Sequence, residues 1–149
     1  MRIRGFLNRG YEPPAPFIKG LLISKNLHIR RFLDLHIDTG ASSTIILDKD
    51  ARYLGLDIES LKRAEKSIGG IGGLIDTYFI EDAKIVFQTE EGITHEEMLT
   101  LLVGIHELDK LTEDERVLIA RLPSLLGRNT LRKFRLIYDE RLNEVFLES

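Results

Sequence analysis

A strand-like run that ends in an abrupt turn constrains this chain most. From Leu27 to Ile37 apolar residues alternate with polar ones, the pattern of a β-strand with one buried face. Asp38-Thr39-Gly40 follows at once, so a carboxylate stands where the strand ends and the chain turns. Ser24-Lys25-Asn26 predicts an earlier turn, and the apolar run Phe17 to Ile23 predicts a partner strand. Together these residues predict a β-hairpin leading into Asp38.

Composition excludes several classes of protein. A chain of 149 residues is long enough for one domain with its own core. The net charge of −3 and the lack of a dense basic run argue against nucleic acid as the main partner. The chain has no cysteine, so disulfides and thiolate zinc sites are excluded. Without a signal-peptide pattern or an apolar run of ~20 residues, we expect a cytoplasmic protein that binds no membrane.

Short strands dominate the rest of the chain. They are predicted at residues 44–47, 83–89, 97–103, 124–127, 134–138 and 145–147. Three short helices are expected: one around Ala51–Leu54, one after the capping box Thr112 to Glu115, and one ending near Lys133. This pattern predicts an all-β fold, a small closed barrel or a sandwich, with few helices.

Local residue types suggest where the helices begin and where the domain starts. Asp48 or Asp50 is expected to cap the first helix, and Asn129 or Thr130 the last. Three prolines between positions 13 and 16 oppose regular structure. We therefore expect residues 1–16 to form an N-terminal arm and residues 17–149 to form the domain.

Two further segments stand out beside Asp38-Thr39-Gly40-Ala41-Ser42. Ile68 to Leu74 contains four glycines in five residues between two strand-like arms, which predicts a mobile hairpin tip. Leu125-Leu126-Gly127-Arg128-Asn129 lies near the C-terminus. In this order and spacing the three segments closely resemble the retropepsin-like aspartic proteases, the family of retroviral proteases and their cellular and microbial relatives. The resemblance covers roughly residues 17–147.

The resemblance implies a retropepsin-like acid-protease barrel that hydrolyses peptide bonds without a cofactor or metal. Hydrolysis of this kind needs an activated water and a proton donor for the leaving amine. Two carboxylates sharing one proton supply both, because like charges so close cannot both ionise. The chain has one suitable residue, Asp38, so the resemblance implies a homodimer in which each subunit contributes its Asp38.

The resemblance also assigns roles to residues around the carboxylate. Thr39, Gly40 and Gly127 would support the catalytic loop, with Thr39 crosslinking the loops of the two subunits. A peptide substrate would contact the floor and wall of the cleft and the glycine-rich tip, which would close over it as a flap. These substrate-binding residues are Gly40, Ala41, Ser42, Ile45, Gly70, Ile71, Gly72 and Leu125.

Some residues depart from the retroviral pattern. Ser42 and Ser43 stand where retroviral enzymes usually have acidic residues, so Arg128 needs another partner, a backbone carbonyl or Asp34. His36 replaces an apolar residue and is either a hydrogen-bonded strand histidine or a cleft residue that makes activity depend on pH. Residues 105–121 form an insertion whose helix is expected to bury Val117, Leu118 and Leu122, and it is either structural or a guard at the cleft.

Two other functions compete with a constitutively active protease. The domain could be a catalytically silent peptide-binding or dimerisation module of the same fold. It could also be a protease that stays latent until it dimerises or until its N-terminal arm moves. Cleavage that depends on Asp38 distinguishes the enzyme from the silent module.

Overall fold

The computed structural model describes the backbone of residues 1–64, 68–70 and 73–149, and the side chains of residues 1–64 and 75–149. Short strands account for most of the regular structure, as the alternating pattern predicts. The strands are β1 (Arg2–Arg4), β2 (Phe6–Asn8), β3 (Ala15–Ser24), β4 (Ile29–Ile37), β5 (Ile45–Ile46), β6 (Lys62–Arg63), β7 (Ile68–Gly70), β8 (Gly73–Gln88), β9 (Thr94–His106), β10 (Leu125–Leu126), β11 (Arg135–Asp139) and β12 (Glu144–Glu148). The helices are α1 (Asp48–Tyr53), α2 (Glu113–Ile119) and α3 (Arg128–Leu131), with single 3-10 turns at Ile58–Ser60 and Leu108–Lys110.

The large sheet closes on itself. Its strands follow the order β2-β3-β4-β10-β5-β9-β8-β6, and β7 pairs with β8. A further pairing joins β3 to β8, with Leu22 opposite Ile85. The ring therefore consists of β3, β4, β10, β5, β9 and β8. The prediction of an all-β fold, in its closed-barrel form, is confirmed. Closure leaves few unpaired strand edges.

The strand that precedes Asp38 is fixed from both sides. β3 and β4 form the predicted antiparallel hairpin, with Phe17 opposite His36. On the other side β10 runs parallel to β4, with Leu126 opposite Ile37, and antiparallel to β5. This arrangement brings the C-terminal segment Leu125–Leu126 against the residues that lead into Asp38, although about 90 positions separate them.

The N-terminal residues differ from the expected irregular arm. β1 pairs with β12, with Arg2 opposite Glu148, and β2 pairs with β3. Ile3 is 1% exposed and Leu7 is 9% exposed, and both belong to the main core. The expectation of irregular structure is therefore wrong for residues 2–8, because buried apolar side chains and strand pairing tie them to the barrel. It is also wrong for Ala15 and Pro16, which begin β3 and pair with β2.

The helices form where expected, but two of the three predicted caps are wrong. Thr112 and Glu115 form the expected capping box of α2. Leu47 and Gly127 occupy the N-cap positions of α1 and α3, and neither provides a side-chain cap. Asp48 and Asn129 instead make hydrogen bonds to distant parts of the chain, which are described below. Asp50 accepts from the Ser124 hydroxyl, and the Thr130 hydroxyl bonds to that of Thr44.

The buried face of α2 also differs from the expectation. Val117 is 51% exposed and Leu118 is 60% exposed, whereas Ile119 is 2% exposed. Leu122 packs against the smaller apolar cluster beside the barrel, as expected. Ile119 is therefore the buried apolar residue of α2, while Val117 and Leu118 face solvent.

Candidate active site

Asp38 lies immediately after β4, in a turn that holds its backbone on both sides. Its N–H donates to the Leu126 carbonyl at 3.1 Å, and its own carbonyl accepts from the Ala41 N–H at 3.2 Å. The side-chain Oδ1 accepts from the Gly40 N–H at 2.8 Å. A Cβ at position 40 would lie 3.1 Å from this Oδ1, so a side chain there would press on the carboxylate. Gly40 therefore leaves the partly exposed Asp38 carboxylate in place.

The segment after β10 holds the turn in place by hydrogen bonds. The N–H groups of Arg128 and Asn129 donate to the carbonyls of Ala41 and Ser42, at 2.8 and 3.1 Å. The Arg128 guanidinium donates from Nη1 to the Thr39 carbonyl at 2.8 Å. Of the two partners expected for Arg128, the structure shows the backbone carbonyl, while Asp34 pairs with Lys19 at 3.2 Å. Hydrogen bonds from one short segment thus fix the loop around Asp38.

Thr44 links the two segments through a buried network that the sequence did not indicate. Its side chain is fully buried, and Oγ1 donates to Asn129 Oδ1 at 2.9 Å and accepts from the Gly127 N–H at 3.1 Å. Asn129 Oδ1 also accepts from the Thr44 N–H at 2.9 Å. Asn129 therefore ties the chain after Asp38 to the C-terminal segment, rather than capping α3 as expected.

A cavity of about 530 Å³ opens beside the Asp38 carboxylate. Asp38 is the only acidic residue among the described residues that line it. Most of its wall is aliphatic, which favours apolar or extended organic ligands over ions. The aliphatic residues are Ile45, Leu47, Ile75, Leu102, Leu122 and Leu125, and the others are Tyr11, Ala15, His36, Gly40, Ala41, Ser42, Ser43, His106 and Pro123.

Most residues that the sequence assigned to substrate binding lie on this cavity. Gly40, Ala41, Ser42, Ile45 and Leu125 line it. Thr39 and Gly127 do not line it; Thr39 accepts a hydrogen bond from Arg128, and Gly127 packs against the backbone of Ser43. Of the glycine-rich tip, Gly70 belongs to a hairpin and pairs with Gly73, while Ile71 and Gly72 fall outside the described residues.

The hairpin of β7 and β8 begins at the cavity wall. Ile68 lies opposite Ile75, whose side chain lines the cavity. From there β8 continues along β9 as far as Gln88, with a bulge between Ile80 and Ala83. The predicted glycine-rich hairpin therefore exists in the described backbone and is continuous with one wall of the cavity.

Comparison with known proteins identifies this architecture. No protein-family model and no curated protein matches the chain. Among solved structures, a retropepsin-like aspartic protease from Rickettsia conorii aligns with 99% of this chain and 90% of its own, with a TM-score of 0.57 and 19% identity. The chain has the retropepsin-like fold. The EIAV protease complexed with the inhibitor HBY-793 aligns with 80% of this chain and 86% of its own, with a TM-score of 0.48 and 17% identity.

His36 lies on the cavity of this retropepsin-like fold, two residues before Asp38. Its ring packs against the Phe17 ring with 5.3 Å between centroids, and its side chain has no hydrogen-bond partner among the described residues. Burial lowers the pKa of the His36 imidazole below its ordinary value, and the Asp38 carboxylate opposes part of that shift. Of the two interpretations of His36, the geometry supports the cleft residue.

A second histidine lines the cavity and was missed in the sequence. His106 ends β9, and its Nδ1 lies 2.5 Å from Asp48 Oδ2, while its backbone N–H donates to Asp48 Oδ1 at 2.9 Å. Asp48 was expected to cap α1, but its carboxylate accepts hydrogen bonds from His106, 58 positions away. No local pattern could reveal this pair, because only the folding of β9 beside α1 brings it together.

The end of the insertion and the N-terminal segment meet beside the cavity. Leu122 and Pro123, directly after the insertion, line the wall together with Tyr11. The Tyr11 hydroxyl donates to the Arg121 carbonyl at 3.3 Å, and its ring stacks on Phe17 at 5.5 Å. Both segments thus help to form the cavity wall.

Two kinds of feature are absent from the described residues. No cluster of three or more His, Cys, Asp or Glu side chains is arranged to hold a metal ion. No helix in the described part of the chain is long and apolar enough to cross a membrane.

Proposed function

We propose that this protein is an aspartic endopeptidase whose active site forms between two copies of the chain. One observation carries the proposal: a partly exposed carboxylate, Asp38, lies on an apolar cavity whose described lining contains no second acid. The retropepsin-like fold supports the same interpretation. A carboxylate pair needs a second Asp38, and a two-fold related copy of the chain supplies one.

The chemistry divides between the two Asp38 carboxyl groups. At about 3 Å two carboxylates cannot both carry charge, so they share one proton. The ionised Asp38 takes a proton from a water molecule, whose oxygen attacks the carbonyl carbon of the peptide bond. The protonated Asp38 gives its proton to the carbonyl oxygen, which produces a neutral tetrahedral diol. Proton transfer from the diol to the nitrogen, through the dyad, then breaks the C–N bond and releases acid and amine.

The cavity and the β7–β8 hairpin suit an extended peptide. Six aliphatic side chains on the cavity favour apolar substrate residues near the scissile bond. The glycine-rich hairpin would cover the bound peptide as a flap and pair with its backbone as an added strand. Covering the dyad would exclude bulk water and strengthen the electrostatic interactions within it. We also propose a cytoplasmic location, as the composition predicts.

Asp38→Asn tests the proposal. Wild-type protein should cleave a mixed peptide library at mildly acidic pH, and Asp38→Asn should lower the rate by at least about a thousandfold, since acid–base groups contribute ~10²–10⁴ each. Asp34→Asn is the matched control, because Asp34 is exposed and its ion pair among the described residues is with Lys19 on the surface. Cleavage that survives Asp38→Asn contradicts the proposal. Peptide binding without cleavage by the wild type would favour the silent binding module instead.

A further inference from the structure

We propose that His106, positioned by Asp48, is a specificity-determining residue that selects a substrate side chain carrying an amide. The inference rests on the proposed function, since it concerns the same cavity. The interaction would be a hydrogen bond between His106 Nε2 and the Asn or Gln side chain of a bound peptide.

Asp48 determines which nitrogen of His106 remains available. A carboxylate can only accept hydrogen bonds, and Asp48 Oδ2 lies 2.5 Å from Nδ1. Nδ1 therefore carries the proton and donates a hydrogen bond to Asp48. The second contact, from the His106 backbone N–H to Asp48 Oδ1 at 2.9 Å, fixes the carboxylate relative to the strand. Together the two bonds hold the ring in one orientation and leave Nε2 for another partner.

The His106 side chain is largely buried and has aliphatic neighbours on the cavity wall. Its side chain is 3% exposed, yet the residue lines the cavity beside Asp38. Leu102 precedes it by four positions and lines the same cavity, as the two-residue period of β9 requires. Ile75, opposite His106 in the strand pairing, adds a further aliphatic side chain. Among the described residues, no group forms a hydrogen bond with Nε2.

A substrate that fills this cavity must therefore satisfy Nε2 or leave it unpaired. Displacing water from a polar nitrogen without replacing the hydrogen bond costs binding free energy. A site of this kind rejects an apolar analogue more strongly than a purely apolar site rejects a missing methylene group. The aliphatic wall by itself would favour leucine, so His106 would reverse the preference at one substrate position.

An amide suits Nε2 better than a carboxylate or an amine does. Neutral His106 has a lone pair on Nε2 and needs a donor, whereas protonated His106 has an N–H and needs an acceptor. Asn and Gln carry both a donor and an acceptor, so they can pair with either form. A carboxylate would pair only with the protonated ring and would also face the Asp48 charge behind it. An ammonium group would be costly to desolvate in this cavity.

The test compares two peptide libraries with the same randomised flanks, one with Asn and one with Leu fixed at each position near the scissile bond. Asn and Leu have similar shapes, so their cleavage ratio reports the hydrogen bond. Wild-type protein should prefer Asn at one position by about ten- to a hundredfold. His106→Leu should abolish that preference, His106→Gln should retain part of it, and Asp48→Ala should weaken it. A general structural defect would slow the cleavage of both libraries and leave the ratio unchanged.

The outcomes separate this inference from the proposed function. Cleavage without an Asn preference, or a preference that persists in both His106 variants, overturns the role of His106 and leaves the protease intact. If the protein binds peptides without cleaving them, isothermal titration calorimetry can measure its affinities for the same libraries instead. An Asn preference in affinity that His106→Leu abolishes would then support His106 and contradict the protease. Absence of both cleavage and binding overturns both.

Discussion

At the scale of single residues, the sequence identified the carboxylate but not the side chains that hold its surroundings. Asp38 and Gly40 stand in one short motif, so their proximity could be predicted. Asn129 and Asp48 have the residue types of helix caps, and their local context suggested that role. In the structure their oxygens accept hydrogen bonds from Thr44 and His106, 85 and 58 positions away. Local propensity could not reveal these partners, because only the closed barrel brings them together.

Gly127 is required by the backbone that packs against it. A Cβ at this position would lie 2.4 Å from the carbonyl carbon and oxygen of Ser43, and the backbone cannot yield there without moving the loop after Asp38. We expect Gly127→Ala to lower the free energy of unfolding by more than about 4 kcal/mol, or to prevent folding.

Gly104→Ala is the matched control. A Cβ there would lie 2.9 Å from Ile45 Cδ1 and 3.0 Å from Ile75 Cδ1, and such side-chain tips can shift. This variant should lose only about 1–3 kcal/mol, measured by urea unfolding. Equal losses for the two glycines would show that the Ser43 contact is not decisive.

His36 should make stability depend on pH. Burial lowers the pKa of its imidazole below 6.5, so the unfolded chain binds the proton more readily than the folded protein does. The resulting cost is complete below the folded pKa and disappears as the pH rises above about 6.5. Acidification through this range should therefore destabilise the wild type more than His36→Leu, in urea unfolding at a series of pH values.

Two further measurements bear on His36. An NMR titration should place its pKa below the ordinary histidine value, and the pH–rate profile of cleavage should change in His36→Leu. A His36 pKa at or above the ordinary value, together with identical pH profiles for the two proteins, would contradict this role.

At the scale of elements, alternation and turn residues predicted most strands, and long-range pairing decided the rest. The β3–β4 hairpin follows from a regular pattern and a polar turn. β1 and β2 have only three residues each, too few for a periodic signal, and β1 pairs with a strand more than 140 positions away. The nearby prolines predicted irregular structure, so β1 and β2 could be recognised only from their pairing with β12 and β3.

The helix α2 shows the same limit of local pattern. Its three consecutive apolar residues fit more than one buried face, and in the folded protein only Ile119 of the three is buried. Ile119→Ala should lower the free energy of unfolding by about 2–5 kcal/mol, because it empties the space that this buried side chain fills.

Leu118→Ala is the control for Ile119→Ala, since Leu118 is exposed and the same change should shift stability by no more than about 0.5 kcal/mol. Thermal and urea unfolding of the two variants provide the comparison. Similar losses in both variants, or a larger loss for Leu118→Ala, would contradict the orientation of α2 described above.

At the scale of the whole molecule, three short motifs in the correct order were sufficient to predict the architecture. The closed all-β barrel and the retropepsin-like fold both agree with that prediction. The pairing of β3 with β8 that closes the ring had no signal in the sequence, because each strand alternates equally well in an open sheet. The single Asp38 led to the central claim, that two chains share one active site.

Mixing wild-type protein with Asp38→Asn tests this claim most directly. With the amount of wild type held constant, an equal amount of variant should reduce peptide cleavage to about half, and a ninefold excess to about one tenth, once subunits exchange at random. Asp34→Asn, added in the same amounts, should not reduce the cleavage. Cleavage that stays constant at every ratio of Asp38→Asn, under conditions where exchange of labelled subunits is observed, would contradict an active site built from two copies of Asp38.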